Sequence, residues 1–217
     1  MSRSARLPLD PAAPSPRAGR RPDPRPARSL ERLHTAVIEL AAEHGINATT
    51  VDDIAAAARV SKGTVYNNVS SKEELFTGAM VDGIDRVAAA LGEAVSGRRG
   101  SDGVRAAVVT LLGRVAASPD FARLFLAEAW RPGRPWHGEL RQARGRVVGV
   151  LADVVRDAGD PPQDPELAAT VMLGSAVVAG LDLVADGRPV PAQRLEAVTD
   201  QLLALFAAAG SAHRGER

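Results

Sequence analysis

Lys62, Thr64, Tyr66, Asn67 and Asn68 fall within seven residues of one another, and all are types that a DNA groove accepts. On a helix starting near Ser61 they occupy one polar side. Lys62 brings a positive charge near the helix start, where free backbone N–H groups and the dipole favour a phosphate oxygen. Gly63 has no side chain and lets the backbone come close to a partner. Thr64 suits a base edge or a thymine methyl, and Asn67 suits adenine through two hydrogen bonds. Tyr66 and Asn68 suit phosphates, and Lys72 stands where a following helix can grip the flanking backbone. The chain holds 25 Arg but only two Lys, both in this stretch, together with its single Tyr. Taken singly, Lys62 reads more readily as a solvated charge and Tyr66 as a packed aromatic; the ordered set reverses that preference.

Three helices must position that side. Leu33, Val37, Leu40 and Ala41 repeat at helical spacing and predict a first helix over 29–44, stopped by His44-Gly45. Thr50 and Asp53 have capping-box spacing and predict the start of a second helix of about eight residues. Arg59-Val60-Ser61 forms the turn, and Ser61 caps a third helix reaching about residue 68. Val60 and Val65 then face the second helix and set the crossing angle of a helix-turn-helix. Ser71 and Glu74 form another capping box, opening a long fourth helix that ends in the Gly/Arg/Ser loop 97–103.

The rest of the chain also reads as helix, over about 102–117, 119–130, 135–158, 165–186 and 191–209. Pro119, Pro165 and Pro191 fall at helix starts, where the missing N–H costs nothing. No segment alternates with period two, so the expected class is all-α. The expected division is a disordered Arg/Pro-rich tail (1–27), a helix-turn-helix domain (28–76), a helical bundle (77–210) and a short disordered tail (211–217). Phe121, Phe125, Trp130, Trp136 and Met172 are candidates to line a ligand pocket, because the Pro/Gly break between the two Trp can open a bundle; plain core is the competing reading. The helix over 165–186 is apolar nearly all round and needs partners on every side. Leu167, Val171, Val178 and Leu181, with Leu195, Val198, Leu202 and Leu205 of the last helix, are therefore candidates for a homodimer interface.

Composition excludes several classes. Without cysteine there are no disulfides, thiolate zinc sites or cysteine nucleophiles. Histidines at 34, 44, 137 and 213 have no metal-site spacing, and no nucleotide-binding or hydrolase motif appears. No metal, cofactor or catalytic constellation is expected. The uncharged run 167–181 is shorter than the roughly 20 residues of a membrane span, so a cytoplasmic protein is expected. The formal charge of +1 divides into +5 over 1–28, −3 over 29–76 and −1 beyond, so a DNA partner is suggested by local placement and not by net charge. The Arg-rich tail is either a solubilising leader or an arm for the minor groove or phosphates.

Residues 32–76, including AVIELAAEHGINATTVDDIAAAARVSKGTVYNNVSSKEELF, resemble the DNA-binding domain of the TetR family of transcriptional regulators. Gly45, Thr49-Thr50-Val51, Ile54-Ala55, the run from Val60 to Thr64, Tyr66, and Ser71-Lys72-Glu73 before Leu75 carry the likeness. The resemblance implies about nine helices in two domains, a dimer built on the last two long helices, and a small-molecule effector bound in the C-terminal part. It assigns contacts with double-stranded operator DNA to Thr50, Ser61, Lys62, Thr64, Tyr66, Asn67 and Lys72. Arg59 stands where the family has Gly, and Asn68-Val69 where it has Tyr-Phe. Those departures motivate an alternative, a dimeric ligand-binding protein whose reading head has decayed; a helical enzyme is a further class.

Overall fold

The computed structural model describes residues 24–158 and 162–212. Among them are nine α-helices and no strand, as expected for the all-α class: α1 (Pro24–His44), α2 (Val51–Ala58), α3 (Lys62–Tyr66), α4 (Lys72–Val95), α5 (Gly100–Ala117), α6 (Pro119–Glu128), α7 (His137–Arg156), α8 (Pro165–Leu183) and α9 (Ala192–Ala212). Residues 1–23 and 213–217, most of the two expected tails, lie outside the described residues.

The first helix starts five residues before the predicted Ser29, inside the segment expected to be tail. Pro24 and Pro26 fall in its first turn, where a missing N–H breaks no helical bond, so the prolines that suggested disorder are compatible with an earlier start. Leu33, Ala36, Val37 and Ala41 form the buried stripe of α1. Gly45 then ends the helix at φ 80°, its N–H donating to the Ala41 carbonyl at 2.9 Å.

The expected capping box at Thr50 and Asp53 is complete, whereas at the second the Glu74 carboxylate accepts from the Ser70 N–H, at 2.8 Å, one residue before the cap. Thr50 Oγ1 accepts from the Asp53 N–H at 3.1 Å while the Thr50 N–H donates to Asp53 Oδ2 at 3.0 Å. The Thr50 hydroxyl, donating to Asp53 Oδ2 at 2.6 Å, and then the Thr50 N–H hold the Asp53 carboxyl below the usual carboxylate range. Ser71 Oγ accepts from the Glu74 N–H at 3.0 Å and opens α4. That 24-residue helix belongs to both halves of the molecule. Its first turns, with Leu75, Phe76, Ala79 and Met80 buried, pack on α1, and its later turns pack on α5 and α7.

The C-terminal bundle is built around α5, α7 and α8. Gly180 of α8 lies so close to α5 that an added Cβ would stand 2.8 Å from Val115, one reason for the small residues along that helix. Asp164 caps α8 by accepting from the Leu167 N–H at 2.9 Å, whereas Ser118 makes no side-chain cap to α6. Pro191 precedes α9 by one residue instead of opening it.

The turn between α2 and α3 holds a backbone conformation that favours glycine. Arg59 sits at φ 54°, ψ 46°, the one described non-glycine residue with positive φ. Its N–H closes α2 onto the Ala56 carbonyl at 3.0 Å, and its own carbonyl accepts from the Arg32 guanidinium at 2.9 Å. Arg59→Gly relieves the left-handed strain at a smaller cost in chain entropy, and is expected to raise stability by roughly 0.5–1 kcal/mol. Arg59→Val, with a branched Cβ at positive φ, is expected to lower it. Thermal unfolding of the two variants checks the order; Gly below wild type would contradict it.

Candidate nucleic-acid interface and effector cavity

The helix-turn-helix is formed by α2 and α3, and α3 is only five residues long. Ser61 Oγ accepts from the Thr64 N–H at 3.1 Å and lies 2.9 Å from the Thr64 hydroxyl. Val65 is buried while Val60 is half-buried, so the apolar side of the unit faces inward as the spacing required. Lys62, Gly63, Tyr66, Asn67 and Asn68 are all exposed, and Thr64 is half-buried beneath them. Tyr66 is 53% exposed, so it is not the packed aromatic of the plainer reading. Asn67 is the C-cap residue, its N–H donating to the Gly63 carbonyl at 3.0 Å, and its side chain stands in solvent. Asn68 Nδ2 donates to the Thr64 carbonyl at 2.7 Å, closing the end of the helix. Val69, where the resemblance led to an aromatic, is half-buried against the core.

Three of the expected DNA contacts have local work as well. Thr50 and Ser61 are N-caps, each exposed. Lys62 Nζ lies 2.8 Å from Asp52 Oδ1, and the hydrogen bond and charge of Asp52 raise the ammonium above its ordinary pKa. Both groups are more than half exposed, and an exposed ion pair of this kind is weak enough to exchange for a phosphate.

Lys72 corrects the expectation drawn for it. Its ammonium donates to the carbonyls of Ile46 at 3.1 Å, Asn47 at 3.1 Å and Thr49 at 2.9 Å. An ammonium has three N–H groups, and all three are taken. Lys72 therefore fastens the α1–α2 turn to the first turn of α4 instead of reaching outward to DNA.

A cavity of about 740 Å³ lies among α1, α4, α5, α6, α7 and α8. Phe121 and Phe125 line it as expected. Trp136, Trp130 and Met172 are not among its lining residues, and each has another place. Trp136 is core: its ring meets Phe76 edge-on at 4.8 Å, and its Nε1–H donates to the buried Glu128 carboxylate at 3.1 Å. Arg134 also donates to Glu128, at 3.2 Å, so this buried charge is paired. Trp130 lies on the surface, edge-on to Phe125 at 5.2 Å and beneath the Arg144 guanidinium at 4.7 Å. Met172 is buried in the bundle.

The wall from α1 was not foreseen. Leu30, Glu31, His34, Thr35, Ile38 and Glu39 face the cavity from the reading-head side. His34 Nδ1 lies 3.0 Å from Asp82 Oδ2 on α4. Burial, opposed by the Asp82 charge and aided by Arg86, lowers the pKa of His34 below its ordinary value. Gly78 and Gly83, inside α4, were the available signal. A glycine within a helix marks close approach, and a Cβ on Gly83 would stand 2.2 Å from the Phe121 ring.

The expected interface residues divide between surface and core. Leu167, Val171, Val178 and Leu205 are each more than half exposed, Leu181, Leu195 and Val198 are half-buried, and Leu202 is buried within the subunit. Within one chain, α8 is therefore covered on only part of its surface. Among the described residues α8 is the one helix long and apolar enough to cross a membrane, and 39% of that stretch is buried inside the protein.

Known proteins match this architecture. The family of bacterial regulatory proteins, tetR family, matches residues 33–79, from the core of α1 to the second turn of α4. An uncharacterized HTH-type transcriptional regulator of Mycobacterium tuberculosis is 44% identical over 72 residues. Over that segment the chain is similar to the tetR family. That alignment covers 33% of this chain and 36% of the relative, so the chain spans about a third of the length of the curated relative it matches. In three dimensions it extends further. A TetR-like regulator from Rhodococcus sp. RHA1 is 24% identical, with a TM-score of 0.69 over 88% of this chain and 98% of that one. FadR from Bacillus subtilis in complex with stearoyl-CoA is 16% identical, with a TM-score of 0.68 over 81% and 96%. AibR in complex with isovaleryl coenzyme A and operator DNA is 18% identical, with a TM-score of 0.66 over 82% and 97%. The described residues share the fold of these regulators across both the helix-turn-helix and the C-terminal bundle.

Because Lys72 holds three carbonyls of one turn, Lys72→Met is expected to lower the free energy of unfolding by about 2 kcal/mol. Urea unfolding measures it, and an unchanged midpoint would return Lys72 to the phosphate-gripping role expected from sequence.

Proposed function

We propose that this chain is a transcriptional regulator of the cytoplasm that binds double-stranded operator DNA as a homodimer and is released by a small apolar or amphipathic effector. The exposed polar side of α3, backed by the buried Val65, carries the reading. Residues 28–76 act as the reading head and 77–210 as the effector-binding and dimerisation domain. In this reading Lys62 exchanges Asp52 for a phosphate, Tyr66 and Asn68 contact the backbone, and Thr64 and Asn67 read bases. The exposed stripe of Leu167, Val171, Val178 and Leu205 supports pairing of α8 and α9 with a second copy. Two such heads, held about 34 Å apart, fit successive major grooves of a roughly palindromic site.

The cavity supports the effector, and the stearoyl-CoA and isovaleryl coenzyme A bound by FadR and AibR are amphipathic ligands on the same fold. Ligand and operator binding are then reciprocally coupled. Nothing in this scheme needs a cofactor, a metal or catalysis. The alternative, a ligand-binding protein with a decayed head, loses support from the departures that suggested it. Arg59 makes the turn, Val69 packs and Asn68 caps, so the head keeps its shape.

Lys62→Ala and Tyr66→Ala are expected to weaken binding to DNA upstream of the gene evenly across sequence variants. Asn67→Ala and Thr64→Ala are expected to relax preference at single positions, by about 1–3 kcal/mol per base pair. Mobility shifts on a panel of operator variants separate the two patterns, and a wild type indifferent to sequence would defeat the base-reading roles. For the dimer, Val178→Glu is expected to shift sedimentation toward a monomer at micromolar concentration; a monomeric wild type would remove the interface.

A further inference from the structure

His34 is nine-tenths buried, lines the cavity, and belongs to the reading head. Its Nδ1 lies 3.0 Å from the Asp82 carboxylate. A carboxylate only accepts, so Nδ1 carries the proton, and the neutral ring leaves Nε2 as an acceptor. Burial, with the nearby Arg86, opposes a second proton on that ring and outweighs the pull of Asp82 toward it. Among the described residues Nε2 has no hydrogen-bond partner, and the α4 residue beside it is Gly78, where an added Cβ would stand 3.6 Å away. Asp82 therefore orients an imidazole whose free lone pair is left for something the chain does not supply.

We infer that His34 Nε2 is the polar anchor of the effector, accepting a hydrogen bond from an uncharged donor, a hydroxyl or amide N–H, on a ligand whose apolar body lies against Ile84, Leu111, Phe125 and Val177. This rests on the proposed reading of the cavity as the effector site. A free carboxylate is the wrong partner at that end. It meets a lone pair and the Asp82 charge, and only a protonated ring would match it. Around the rim, Arg86 and Arg114 are offset by Glu31 and Glu39, so an anion gains no net attraction there. An effector held by His34 touches α1 itself, so the reading head is engaged directly as well as through α4.

The test uses the full-length protein with 1-decanol and decanoate as probes, by calorimetry and by mobility shift on the upstream DNA. Decanol is expected to bind at least about tenfold tighter than decanoate, the worth of one well-made hydrogen bond. His34→Leu is expected to remove that preference and His34→Gln, which keeps an acceptor, to retain part of it. Gly83→Ala, which pushes Phe121 into the cavity, is expected to weaken both probes, and thermal unfolding confirms that each variant is folded. Decanoate binding as tightly as decanol, an unchanged decanol affinity in His34→Leu, or no binding of either probe overturns the inference. Histidine-dependent decanol binding without effect on DNA keeps the anchor and removes the effector-release reading. Histidine-independent release of DNA by decanoate does the reverse.

Discussion

A helix of five residues has no stability of its own, because nucleating a helical turn costs more than so few hydrogen bonds return. The α3 helix exists because its surroundings impose it. Ser61 satisfies an N–H at one end, Asn68 a carbonyl at the other, and Val65 anchors the middle in the core. The left-handed Arg59 sets the angle at which that anchor arrives. With one apolar residue turned inward, the remaining side chains stand outward. The polar face is thus a consequence of how α3 is held, and its rigidity is borrowed from α1, α2 and α4.

Lys72 is part of that loan. The loop after α1 ends in carbonyls that no neighbouring N–H fully satisfies, and one ammonium collects three of them. Charge-assisted bonds of this kind are stronger than neutral ones, and here they join a turn to a helix more than twenty residues away in sequence. The α1–α2 turn and the start of α4 consequently behave as one piece. Any tilt of the reading head relative to the bundle must be taken up further along α4, where Gly78 and Gly83 leave the helix without side chains against His34 and Phe121.

What was legible in the sequence is what short-range chemistry decides. Thr50 with Asp53, Ser61 with Thr64, and Ser71 with Glu74 are bonds between residues three apart, and their helix starts follow from the pattern alone. The side of α3 that faces solvent was legible for the same reason. Lys72 was misread because a long flexible cation bonds whatever acceptor folding brings near, and that acceptor lay in another turn. Trp136 was misread because a Pro/Gly break says that the chain bends but not which side its aromatics take. A buried acceptor on α6 decided it: the indole N–H found Glu128 and the ring found Phe76. His34 was passed over because a lone histidine has no spacing to betray it, and its role depends on Asp82, 48 residues away.

The apolar character of α8 has a related resolution. Composition alone made it uniform, yet the fold divides it into an inward face of Ala169, Met172, Leu173, Ala176 and Val177 and an outward stripe of Leu167, Val171 and Val178. The inward face contains the small residues that bring α5 close, which fixes the position of the cavity wall at Leu173 and Val177. The outward residues recur at helical spacing with Gly174 and Ser175 between Val171 and Val178, and Leu205 of α9 is likewise exposed, which leaves apolar area in water unless a second surface covers it. One helix therefore bounds the cavity with one face and offers the other for pairing. In the proposed dimer, a ligand pressing on Val177 acts on the same rigid element that sets the distance between the two reading heads. Coupling between effector and DNA then follows from rigid packing and needs no flexible relay.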